Sequence, residues 1–188
     1  MHNYLKFYDL ERYLFQDVHR RFHTDHSLGA FDFFSIVIWK ANRAKSKLAR
    51  KLLVADPEGR SDLDAIARTL TTALYNAATA KERLRLLMID WKFALPMASA
   101  ILSVCWPEQF TIYDYRVRQR LESPELKHLT DFERIWSSFT DYQMRVAEIA
   151  PAELNLRERR TSKRKRWLSR RFLSFDALFE AWGHPPLT

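Results

Sequence analysis

The stretch Asp90–Arg120, DWKFALPMASAILSVCWPEQFTIYDYRVRQR, decides how the chain is read. Pro96 suits the first turn of a helix, where its fixed φ is pre-organised and its missing N–H would lack a partner anyway. The helix predicted from it, Met97 to Trp106, is built of small and apolar residues and is stopped by Pro107. Ala98, Ser99, Ala100 and Ser103 would let another backbone approach closely, either a neighbouring helix or a ligand, packing being the commoner reason. After the loop Pro107 to Tyr113, Asp114 begins a second helix that runs to about Leu121.

Working outward, the same helical period recurs on both sides. Leu5, Tyr8, Leu10, Tyr13, Leu14, Val18 and Phe22 give an amphipathic first helix from about Asn3 to His23. Phe31 to Ala41 is apolar nearly all round, which predicts a central, buried helix. Ala44 to Val54 follows as a short basic helix, halted by Ala55-Asp56-Pro57-Glu58-Gly59. Ser61 with Asp64 opens the next helix, and Thr79 with Glu82 has capping-box spacing for one over Ala80 to Trp91. Ser123-Pro124 breaks the chain, Thr130 with Glu133 caps a long helix to Ile149 that Pro151 ends, and a last helix covers Phe175 to Trp182. The three glycines are too few for the hairpins of an all-β protein. The expectation is therefore all-α, a compact bundle of about eight to nine helices over 1–188, forming one domain of two small lobes with a cleft between them.

Charge is unevenly placed. The chain has 31 Lys+Arg, 23 Asp+Glu and a net charge of +8. Nine basic residues and the single acid Glu158 fall between Arg157 and Arg171, so this segment carries the whole surplus. The remainder balances 22 against 22, yet Lys40, Arg43, Lys45, Lys47, Arg50 and Lys51 form a run with no acid among them. Such clusters read as a phosphate footprint or a membrane-surface patch, the plain alternative being a solvated helix face.

Other chemistries are disfavoured. The lone Cys105 excludes an intramolecular disulfide, a four-cysteine iron–sulfur cluster and a cysteine-rich zinc site. Gly29, Gly59 and Gly183 are isolated, which argues against glycine-loop nucleotide binding. His19, His23 and His26 place two imidazoles one helical turn apart, but no acid lies between them as in the metalloprotease pattern, so no metal is expected. No cofactor is called for. Lys6, Asp9 and Glu11 interrupt any apolar leader, and the thirteen residues Ala94–Trp106 are too short to cross a bilayer. The expected setting is a reducing one without a membrane: cytoplasmic, or nucleoid-associated if bacterial.

Asp90–Arg120 also resembles the helix-hairpin-helix (HhH-GPD) DNA glycosylases of base-excision repair. That family follows a G-V-G hairpin with a helix bearing an A-x-x-x-L face and a loop ending in V-D-x-x-V-x-R. Counting eighteen residues back from Asp114 reaches Pro96, where one subgroup carries its lyase lysine, and Ala98 and Leu102 then fall on the small and apolar helix positions. Tyr113-Asp114 and Val117 match the V-D-x-x-V core, with Arg118 and Arg120 flanking Gln119 at the arginine position. Phe31–Lys45 is similar to the family's early buried helix, with Asn42 where a polar residue wedges into DNA. The chain departs from the pattern in placing Lys92-Phe93-Ala94 at the hairpin and Pro96 at the lysine, and in having a short Asp56–Trp91 segment.

The resemblance implies a monofunctional glycosylase that hydrolyses the N-glycosidic bond of a damaged or modified base, with Asp114 as catalytic carboxylate and double-stranded DNA as partner. Such a reaction builds positive charge on the sugar, which a carboxylate in a low-dielectric pocket stabilises. Trp39, Trp106, Tyr113 and Tyr115 would stack the extruded base. Lys40, Asn42, Arg43, Lys45, Lys47, Lys92, Arg116, Arg118, Arg164 and Arg166 would hold DNA, mostly by phosphate. The residues alone leave other readings open. An Asp at a helix start is usually only an N-cap, and aromatic residues usually only pack. A non-catalytic DNA-binding protein of the same fold and a helical protein-interaction module remain the alternatives.

Overall fold

The computed structural model describes residues 10–126 and 131–160, with side chains to residue 149. The start of the predicted first helix, Thr130, Arg164, Arg166, the basic segment beyond Arg160 and the predicted Phe175–Trp182 helix lie outside the described residues. The described residues are all-helical, without strands. The chain divides into two compact units, Met1–Phe110 and Thr111–Thr188.

In the first unit, α1 (Leu10–Arg12) passes through a π-helical stretch, Tyr13–Val18, into α2 (His19–Asp25). It is followed by α3 (Ala30–Ala41), a 3-10 turn at Asn42–Ala44, α4 (Lys45–Ala55), α5 (Leu63–Asn76), α6 (Ala80–Arg85) with a π-helical extension Leu86–Asp90, and α7 (Leu95–Cys105). The Thr79–Glu82 capping box forms as predicted, Glu82 N–H donating to Thr79 Oγ1 and Thr79 N–H to Glu82 Oε2. Pro96 sits in the first turn of α7. At α5 the cap is Asp62 rather than Ser61, its carboxylate accepting Asp64 N–H at 2.9 Å.

Helix α3 packs against α1, α4, α5 and α7, the central place expected of it, but it is α7 that is buried all round. Every residue of α7 except Pro96 is buried, and it packs against α2, α3 and α6. Small side chains at 98, 99, 100 and 103 allow that approach from several sides, which is the packing role anticipated for them. In α3 only Phe33, Ile36 and Val37 are buried, while Phe31 is 77% exposed and Ile38 lies at the surface. Its continuous apolar run therefore covers the core on one face only.

Gly29 precedes α3, and a Cβ placed there would lie 2.6 Å from Asp64 Oδ1, which accepts Ala30 N–H at 2.7 Å, so a larger residue would displace that carboxylate. Among the described residues, three positions that end helices adopt left-handed backbone without being glycine: His26 (φ 55°), Lys92 (φ 57°) and Glu122 (φ 51°). A chain so poor in glycine closes its helices with other residues at some conformational cost.

The second unit contains α8 (Tyr115–Arg120) and α9 (Phe132–Arg160). Just before α9, the Asp131 carboxylate accepts Glu133 N–H at 3.0 Å. The buried face of α9, Ile135, Phe139, Tyr142 and Val146, repeats at helical spacing. The helix continues through Pro151, which was expected to end it. A proline removes a single backbone donor, and the Ala, Glu, Leu and Arg residues that follow favour helix enough to carry it on.

Candidate nucleic-acid interface

Helix α4 turns Leu48 and Leu52 into the core, one turn apart. That orientation leaves Lys45, Lys47 and Arg50 exposed and Lys51 half-buried. The π-helical stretch Leu86–Asp90 ends at Trp91, whose indole is buried, and Lys92 takes up the left-handed conformation that lets Phe93 return to the core. Phe93 N–H donates to Leu87 O at 2.8 Å, closing the turn. The turn is pinned to α4 by Lys51, whose Nζ donates to Lys92 O at 2.9 Å.

These two segments, distant in sequence, line one groove of about 740 Å³ formed by Lys47, Arg50, Lys51, Val54, Ala55, Asp90 and Lys92. Val54 is 87% exposed at its edge. Among the described residues, no carboxylate lies within ion-pair distance of Arg43, Lys45, Lys47, Arg50 or Lys92. The face thus carries cations that form no ion pair among the described residues. The Asp90 side chain, in the same groove, makes no hydrogen bond or ion pair among the described residues either.

Of the residues predicted to contact DNA, Lys47 and Lys92 meet in this groove. Asn42 and Arg43 are exposed in the turn between α3 and α4, and Asn42 Oδ1 accepts a hydrogen bond from Lys45 Nζ at 3.1 Å. Lys40 is half-buried in the last turn of α3. Arg50, Lys51 and Asp90 were not among the predicted contacts. The first two were visible in the acid-free run, whereas nothing local marks Asp90.

The remaining expectations fall elsewhere. Trp39 packs edge-on against Phe15 at 5.5 Å, and Trp106 against Phe22 at 4.9 Å with the Arg83 guanidinium 4.1 Å above its ring. The two tryptophans therefore belong to separate aromatic clusters. In the second unit, Tyr113 is buried against Tyr142, its hydroxyl accepting Leu126 N–H at 3.4 Å. Burial pushes the Tyr113 phenol above its usual range. Tyr115 is exposed and accepts a hydrogen bond from Arg116 Nε at 2.8 Å. Arg118 Nη1 donates to Ser123 O at 3.0 Å.

Asp114 is the N-cap of α8, accepting Arg116 N–H at 2.9 Å, and is 8% exposed. Tyr142 fixes the backbone before it, its hydroxyl donating to Ile112 O at 3.0 Å and accepting Asp114 N–H at 3.4 Å. The capping role anticipated for an aspartate at a helix start is thus present.

His19 Nδ1–H donates to Val104 O at 3.1 Å and His23 Nε2–H to Cys105 O at 2.8 Å. Both histidines satisfy carbonyls of the last turn of α7, which have no partner within the helix. His26 stacks on Tyr75 at 3.9 Å. No cluster of three or more potential metal ligands occurs among the described residues, and no described helix is long and apolar enough to cross a membrane. Burial raises the Cys105 thiol far above its ordinary value, which leaves it an unreactive core residue.

Compared with protein-family models, curated proteins and solved structures, the chain matches none.

Proposed function

We propose that the protein binds nucleic acid, with double-stranded DNA as its partner, through the outer face of α4 and the Lys92 turn. The observation that carries this reading is the set of cations Arg43, Lys45, Lys47, Arg50 and Lys92, none of which has a carboxylate partner among the described residues. Like charges clustered in this way repel one another, with no ion pair among the described residues to offset it. A phosphate backbone reverses that balance, because each neutralised phosphate releases condensed counterions. The test is a duplex titration at two salt concentrations. Binding that weakens steeply with salt supports the proposal; absent or salt-insensitive binding contradicts it and favours a protein-interaction module.

Base excision at Asp114 is the second reading. It is supported by the position of that carboxylate, largely buried at a helix start beside the buried Tyr113. Its assay is base release from duplexes carrying alkylated, oxidised or deaminated bases. Activity should disappear in Asp114→Asn while DNA binding persists, since asparagine caps a helix as well as aspartate does. If the wild-type protein releases no base, DNA binding stands without catalysis.

A further inference from the structure

The α4 groove contains one group that a site for DNA phosphate alone does not explain. Asp90 lies among Lys47, Arg50, Lys51 and Lys92, yet pairs with none of them. Its exposed carboxylate would repel an approaching phosphate, so for a DNA backbone, whose sugars and phosphates offer only acceptors, it is a net cost. A ribose backbone differs in one respect: every nucleotide adds a 2′-hydroxyl, which can donate. Lysine and arginine donors for phosphate beside an acceptor for a sugar hydroxyl form the complement of a ribose–phosphate unit. The groove, at about 740 Å³, has room for a ribose–phosphate unit of a strand laid along α4. Exposed aliphatic surface at Val54 and Ala55 adds contact area that is indifferent to base identity.

We propose that this groove selects RNA over DNA in single strands, with a ribose 2′-hydroxyl donating to Asp90 while the surrounding cations hold the flanking phosphates. The inference rests on the nucleic-acid reading of α4 and sharpens it. The row Arg43–Arg50 serves any polyanion, and the groove adds discrimination between sugars.

The test compares oligo-uridine, oligo-deoxyuridine and 2′-O-methyl oligo-uridine, which share a base with no exocyclic amino group and differ only at the 2′ position. The wild-type protein should bind oligo-uridine about tenfold more tightly than oligo-deoxyuridine, the value of one hydrogen bond to a charged acceptor. The 2′-O-methyl strand, which cannot donate, should lose that advantage. In Asp90→Ala the ratio should fall to about one, chiefly because oligo-deoxyuridine binds better. Asp90→Asn, which keeps an acceptor, should retain part of the preference. Equal wild-type affinities, or a preference that survives Asp90→Ala, would overturn the sugar-reading role and leave the phosphate reading intact. Failure of all three strands and of duplex DNA to bind would overturn both.

Discussion

Helices α4 and α7 are both eleven residues long and belong to the same unit, but they use their side chains in opposite ways. Helix α7 has no charged residue and buries every side chain but that of Pro96. Helix α4 carries Lys45, Lys47, Arg50 and Lys51 with no acid, and buries only Leu48 and Leu52. The first is held by close packing, so its composition is explained by the fold. The second docks by its two leucines and by the Lys51 contact with the Lys92 turn, so its other charges are not explained by packing and are the ones the proposed partner would use.

That contrast can be broken first on its stable side. Leu102→Ala, at a fully buried position in α7, should cost about 3 kcal/mol by chemical denaturation, from lost transfer energy and the cavity left behind. Lys47→Ala, on the exposed face of α4, should change stability by less than about 0.5 kcal/mol. Equal losses at the two positions would mean that α4's outward face is structural after all.

A second variant separates stability from binding within one residue. Lys92 holds a left-handed backbone that an L side chain adopts at a cost of about 1–2 kcal/mol, partly offset in glycine by its greater freedom when unfolded. Lys92→Gly should therefore be as stable as the wild type or up to about 1 kcal/mol more stable. It should nevertheless bind duplex DNA more weakly, because a groove cation is gone. A loss of stability in Lys92→Gly would show that the side chain contributes to the fold.

The smallest effect concerns the turn after α4. Arg60 clamps Asp56, donating from Nε and Nη2 as well as from its backbone N–H, and this holds the Asp56 carboxyl below its ordinary value of 3.8. The stabilisation is fully present above that ordinary value and is lost as pH falls through the lowered one. Thermal melts across the acid range should therefore show a shallower acid decline in Asp56→Asn than in the wild type. Lys47→Ala should leave the acid limb as it is.

How legible these regions were depended on whether their determinants were local. The capping box at Thr79–Glu82, the proline at the start of α7 and the Asp114 cap each rest on residues within a single turn, and each appears where its spacing placed it. Caps moved by one residue where two candidates adjoin, as with Ser61 and Asp62. Burial was harder to read. Phe31–Ala41 looks buried all round because periodicity reports a residue's type and not what lies opposite it, and among the described residues Phe31 stays largely exposed, with Tyr13 edge-on to its ring. The turn at Lys92 was hidden because glycine or asparagine is the usual sign of left-handed backbone. Lys47 and Lys92 could each be singled out as basic, but their meeting in one groove that Asp90 also lines depends on the path of the chain through α5 and α6.

The most direct test of the account is the slope of log affinity against log salt for a DNA duplex, measured for the wild type and for the double variant Lys47→Glu/Lys92→Glu. Each phosphate contact contributes a little under one to that slope. The account predicts a steep wild-type slope and a slope shallower by about two in the variant, with unchanged thermal stability. Identical slopes would contradict it, because the groove would then take no part in holding the backbone.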